Sequence, residues 1–400
     1  MLKLKMWRFS LLAFVMLLAL LWQVGAAVAS SGWTVVPSVN PPGDDVLTAV
    51  AATSAQDAWA VGGANLGFAP QTLIEHWNGT SWSVVASPSP GTSTIIKLTG
   101  VTALSSSNAW AVGYYQDNSG AVLTLVEHWN GSKWVVVPSP NPSGFMASQL
   151  FAVSAHSAND IWAAGTSQTN NNVTQTLTEH WNGSVWSVVP SINPGASFSS
   201  LKGVVAISAT DAWTVGSYNN PQGVPQTLIE HWNGTAWHLV SSPNPGSSVN
   251  GLFAVTHVPG SNQLWAVGDY TNGGSGQPLI EQWNGTSWSV VSSPMLQANA
   301  SSLDGVTAIS ATNAWAVGQA GTPSGGLRGG ATSANSGPAG KTLIEHWNGT
   351  RWSVVASPNP GTFNNSLTGV ARVPGTTQLW TVGAYNNGTP PVQTLVEFQS

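Results

Sequence analysis

The chain has 400 residues, 10 Lys and Arg against 15 Asp and Glu, and only 6% charged residues in all. So sparse and acidic a charge set excludes the basic footprint of a nucleic-acid binder. Cysteine is absent, which excludes a disulfide framework, Cys metal sites, thiol catalysis and a lipidated cysteine.

The chain opens with Lys3, Lys5 and Arg8, an apolar run from Phe9 to Trp22, and the small-residue pattern Ala27-Val28-Ala29. This order reads as a secretory signal peptide over residues 1–29, with an uncleaved anchor as the alternative. Removing those three basic residues leaves seven against fifteen acids, a net charge of −8. The expected location is extracellular or at the cell surface, without membrane insertion once the signal is cleaved.

Next comes SGWTVVPSVNPPG, Ser31 to Gly43, which matches TSWSVVASPSPG further on. The first complete unit follows. Leu47–Ser54 is an apolar strand, Ala55-Gln56-Asp57 a turn, and Ala58–Gly62 a second strand. After a variable loop, Thr72–Trp77 is a third strand. Asn78-Gly79 is a turn, and Thr80–Val85 is a fourth strand ended by Pro88 and Pro90. The unit recurs. Its third-strand acid is Glu75, Glu127, Glu179, Glu230, Glu281, Glu345 and Glu397. Its second-strand indole is Trp59, Trp110, Trp162, Trp213, Trp265, Trp315 and Trp380, at gaps of 51, 52, 51, 52, 50 and 65. Strand-rich repeats near fifty residues predict an all-β fold, a seven-bladed β-propeller of four-stranded antiparallel blades over residues 30–400. The last copy stops after its third strand, so Trp33 to Val36 should complete it and close the ring.

Asn-Gly at Asn78, Asn130, Asn182, Asn233, Asn284 and Asn348 suggests two-residue type I′ hairpins. These sites also spell N-x-S/T, but the turn explains all six. The implied register sets Glu75 opposite Trp82, with the acid accepting indole N–H bonds. Residues 319–341, rich in Gly, Ser, Ala and Thr, read as a flexible loop insertion in blade six.

The order AWAVGG, IEHWNGTSW, SPSPG over residues 31–400 resembles the kelch-type propellers, although the doubled glycine of that family stands only at Gly62-Gly63. It is similar as well to Trp-rich propellers secreted by bacteria. The resemblance implies the fold and no particular activity. Galactose-oxidase-like kelch enzymes need copper and a Tyr–Cys cross-link, which this chain cannot make. The arginine cluster and Asp-boxes of sialidases and the WD signature are missing too.

The recurring Glu-His pairs, His76, His128, His180, His231 and His346 after the acid, read as structural. Adjacent strand residues face opposite ways and five dispersed copies make no single centre. No catalytic residues, no metal and no cofactor are expected. The second-to-third strand loops vary and carry Tyr beside Asn or Asp. The ligand-binding candidates are Tyr114, Tyr115, Asp117, Tyr218, Asn219, Asn220, Asp269, Tyr270, Tyr385 and Asn386. The expectation is a monomeric, non-enzymatic binding propeller that presents this loop face to a glycan or protein. The alternatives are a polysaccharide-acting hydrolase or lyase with its site in the central funnel, and a structural matrix protein.

Overall fold

The computed structural model describes residues 32–67, 69–91, 95–294, 296, 300–321 and 340–400. The expected signal peptide and most of the 319–341 insertion lie outside the described residues. All regular structure among the described residues is β-strand. Each repeat folds into four consecutive antiparallel strands, as in Ile96–Ser105, Asn108–Gln116, Val122–Trp129 and Trp134–Val136 of the second unit. Five sheets hold four strands each. The sixth joins the second and third units through one parallel bridge, Ala147 to Val122. Trp33–Val35 pairs antiparallel with Gln393–Gln399 and supplies the fourth strand of the last unit, as the sequence suggested.

The cores lie between units. Trp59 of the first unit packs on Trp129 and Trp134 of the second at 4.9 and 5.1 Å. Trp380 of the last unit meets Trp77 and Trp82 of the first at the same two distances. Leu47, Val50 and Trp82 accordingly share a buried cluster with Trp380, Val382 and Val396. Such aromatic contacts add about 0.5–1.5 kcal/mol each beyond burial. Every unit therefore depends on its neighbour for its core.

The Asn-Gly hairpins differ from expectation. Trp77 lies opposite Trp82 and Glu75 opposite Val84, so four residues, Asn78 to Ser81, form the connection. The Asn78 side-chain oxygen accepts the Thr80 N–H, the Thr80 hydroxyl and the Ser81 N–H at 2.9, 2.7 and 3.0 Å. Only Gly79, with φ of 94°, is left-handed. Side-chain capping by Asn replaces the positive φ that a type I′ turn would have required of it. It also explains why Thr or Ser follows Asn-Gly.

The recurrent Glu also has a different partner. The third-strand indoles donate to backbone carbonyls, as Trp77 does to Ala55 at 3.1 Å. The Glu instead accepts from the Pro-containing exit of the preceding unit. Ser87 donates to Glu127 at 2.8 Å, Ser139 to Glu179 at 2.7 Å and Ser242 to Glu281 at 2.7 Å. Each of the seven is fully buried. Each His stays within its own unit, stacked on the second-strand Trp and bonded to the polar residue two before it. His180 sits 4.4 Å from Trp162 and 2.7 Å from Asp160.

Candidate functional site

The first strand of every unit carries a β-bulge at one place, between Leu98 and Gly100 in the second unit and at the matching step elsewhere. The glycine ending AWAVG makes room for it. A Cβ on Gly113 would sit 2.0 Å from the Lys97 carbonyl oxygen, and six sister glycines show the same contact. A bulge inserts one residue and re-aims its side chain. The bulged residues are Thr48, Thr99, Phe151, Lys202, Phe253, Asp304 and Thr368.

The three threonines have a structural task. Thr48 donates to the Leu98 carbonyl at 2.8 Å, Thr99 to Leu150 at 2.7 Å and Thr368 to Leu47 at 3.0 Å, each tying one first strand to the next. The third to sixth units replace that hydroxyl with Phe, Lys, Phe and Asp. They forgo a tie worth about 1 kcal/mol each and put aromatic and charged groups on one side of a shared cavity.

That cavity, about 400 Å³, is lined by Lys97, Thr99, Tyr114, Gln149, Phe151, Lys202, Phe253, Asp304, Gln319, Ser366 and Thr368. It is of the size that takes a small ligand. Phe151 lies under the Lys202 ammonium at 3.5 Å and edge-on to Tyr114 at 6.5 Å. Ser302 reaches the Asp304 carboxylate at 3.4 Å. Lys97 stands directly opposite Tyr114 across two paired strands. It is 7% exposed and has no hydrogen-bond or ion-pair partner among the described residues. Burial lowers its ammonium to about 8, so it stays charged at neutral pH, and burial raises the Tyr114 phenol above its ordinary value. Gln319, 6% exposed, has a side-chain oxygen without a partner.

Of the ten candidates read from the loops, Tyr114 alone lines this cavity. Tyr115, Tyr218, Tyr270 and Tyr385 are half-buried against the inter-unit cores. Asp117 accepts the Ser119 hydroxyl at 2.7 Å and the Ser119 and Ala121 N–H groups at 2.8 and 2.9 Å, and these bonds, the hydroxyl's foremost, lower its carboxyl from the ordinary value. Asn220 caps its turn by accepting from Gln222 and Val224, and Asn386 accepts from Gly388. Asn219 donates its backbone N–H to Phe198, and Asp269 pairs with Gly251 and Pro278. Among the described residues no three His, Asp or Glu side chains gather as a metal site would need. The bulged residues were missed, yet they had a signal. The motif L-x-(A/G)-V repeats seven times, and x alone changes from Thr to Phe, Lys and Asp.

These sheets and cores define a β-propeller. No family model matches the chain, and no curated protein matches it. Among solved structures, an ulvan lyase of polysaccharide lyase family PL25, bound to -[GlcA(1-4)Rha3S]-, is 10% identical with a TM-score of 0.52, over 89% of this chain and 94% of that one. The structure of YjhT is 13% identical with a TM-score of 0.47, over 78% and 99%. A fungal lectin from Aleuria aurantia, described as a six-bladed β-propeller with fucose recognition, is 13% identical with a TM-score of 0.45, over 78% and 96%. At such identities the likeness concerns the fold.

Proposed function

We propose that the chain is a secreted, monomeric, seven-bladed propeller that binds carbohydrate in its central cavity at the cell surface. In this reading the eight-stranded sheet counts as two blades, and Trp33–Val35 closes the ring. Residues 1–29 serve as the export signal. The carrying observation is the cavity itself, where Phe151 and Phe253 line the wall together with the hydrogen-bonding residues Tyr114, Gln149, Gln319 and Ser366. Sugars offer apolar C–H faces and a fringe of hydroxyls, and that pairing suits them. The ends of the second strands and the turns that follow them, with Tyr115, Asp117, Tyr218, Asn219, Asn220, Asp269, Tyr270, Tyr385 and Asn386, form the rim in this proposal. The test is a binding screen of the purified protein against mono-, oligo- and polysaccharides. Saturable binding weakened by Phe253→Ala is expected. Absence of any saccharide binding refutes the reading.

One observation favours a second reading, a lyase acting on polysaccharide. β-Elimination needs a base for the proton beside a uronate carboxyl and an acid for the leaving oxygen, and Lys97, lowered to about 8, faces Tyr114. A hydrolase fits less well, since it uses two carboxyls and, among the described residues, Asp304 is the one that lines the cavity. Formation of unsaturated uronate products, lost in Tyr114→Phe, would distinguish the lyase.

A further inference from the structure

The central cavity leaves two strong demands unmet. Lys97, itself 7% exposed, brings an ammonium to the cavity, and no described residue pairs with it as an ion or hydrogen-bond partner. A desolvated charge without a partner is costly, by several kcal/mol in a typical interior. Gln319 brings a buried carbonyl oxygen with no donor. Neither residue belongs to the repeated framework. The positions matching Lys97 hold Val46, Gln149, Ser200, Gly251, Ser302 and Ser366, and those matching Gln319 include Gly63, Thr166 and Ala384. The neighbouring unit accommodates the lysine. A Cβ on Gly63 would lie 3.5 Å from Lys97 Cγ, and Gly62-Gly63 is the doubled glycine found in that one repeat.

We propose that the cavity holds an acidic saccharide, its carboxylate or sulfate ester paired with the Lys97 ammonium and one of its hydroxyls donating to Gln319. The proposal rests on the carbohydrate-binding reading and names the class of sugar. An anion satisfies the ammonium, and the hydroxyl satisfies the amide oxygen. The apolar side of the ring lies against Phe253, since the Lys202 ammonium covers a face of Phe151. A cation on a flexible stem acts as a point charge and accepts either kind of acid group. The size of the cavity suits one or two sugar rings, so the ligand is a free acidic sugar or the acidic end of a longer glycan.

The experiment is calorimetric titration of the purified protein at pH 7. The probes are glucuronate against glucose, galactose 6-sulfate against galactose, and a glucuronate-terminated oligosaccharide. Each acidic sugar should bind about 10- to 100-fold more tightly than its neutral counterpart. That margin should shrink with added salt and vanish in Lys97→Met, which replaces the ammonium by an apolar group of similar length. Stronger binding of the oligosaccharide than of glucuronate assigns the ligand to glycan ends, and equal binding assigns it to the free sugar. Lys97→Met should melt no lower than the parent, because an unpaired buried charge has been removed. If this variant does not fold, the salt dependence in the parent and a 3- to 10-fold loss in Gln319→Leu carry the test. Neutral sugars binding as well as acidic ones, or acidic sugars binding Lys97→Met undiminished, overturns the proposal and leaves carbohydrate binding standing. No binding of any sugar overturns both.

Discussion

The buried Glu of each unit should make the protein less stable as the pH rises from acid to mildly alkaline. Burial pushes Glu75, Glu127, Glu179, Glu230, Glu281 and Glu397 up to about 8 and Glu345 to about 7. Hydrogen bonds from the neighbouring unit lower six of them only in part, and Glu397 has no partner on either oxygen. A carboxyl whose folded value lies above its unfolded value of 4.5 stabilises fully below 4.5. That contribution is lost as the pH climbs through about 8. At about 1.4 kcal/mol per pH unit, the interval between 4.5 and about 8 sets a ceiling of roughly 5 kcal/mol for one carboxyl. Seven together would exceed the 5–15 kcal/mol that domains usually possess, so water must enter the inter-unit joints before all have ionised. The assay is thermal melting from pH 5 to pH 9 for the parent, Glu179→Gln and Glu397→Gln. The parent should lose more than about 10 °C between pH 5 and pH 8. The variants should match the parent within about 1 kcal/mol at pH 5, since an amide mimics a protonated carboxyl, and should melt several degrees higher at pH 8. A parent melting point that is flat or rising over this range would refute the reasoning.

Other outcomes follow from the same joints. Removing residues 32–38 uncovers the edge of the strand Gln393–Gln399 and takes Trp33 from the core it shares with Trp315 at 5.7 Å. Melting should drop by more than 10 °C and soluble yield should fall, as light scattering would show. Gly113→Ala places a methyl group 2.0 Å from the Lys97 carbonyl. Denaturant titration should report a loss of more than about 3 kcal/mol, and the bulge that aims Lys97 and Thr99 should be lost with it. Trp380→Ala, 2% exposed and wedged against Trp77 and Trp82, should cost about 3–5 kcal/mol by the same measurement. Asn182→Ala removes the acceptor for the Ser184 and Val185 N–H groups and should cost about 1 kcal/mol.

Much of the architecture was legible because a repeat states the same local facts many times. Four strands per unit, the pairing of the first fourth-strand segment with the end of the chain, and the packing of indoles between units could all be read from spacing. The hairpin register could not. Asn-Gly suits a two-residue turn by backbone preference alone, and only the side-chain bonds from Thr80 and Ser81 to Asn78 select a four-residue connection. The Glu partner was misassigned for a related reason. Alternation along a strand locates a side chain on a face, but the donor to the Glu belongs to a different unit, 40 residues earlier in the chain.

The site divides along the same line. By itself the sequence determined that a binding site must lie where the repeats disagree, and it placed Tyr114 among the candidates. It drew attention to Tyr and Asn loops, because those residues look exposed and adaptable. Tertiary structure gives most of them contacts within the fold. Packing turns Tyr115, Tyr218, Tyr270 and Tyr385 toward the cores, and turn capping occupies Asp117, Asn220 and Asn386. The bulge beside each AWAVG glycine turns one residue per unit inward, so that Phe151, Lys202, Phe253 and Asp304, about fifty residues apart in sequence, line one cavity with Lys97 and Gln319. A one-residue bulge changes where a side chain points without changing the hydrophobic pattern around it. Convergence of that kind exists only once the strands are assembled.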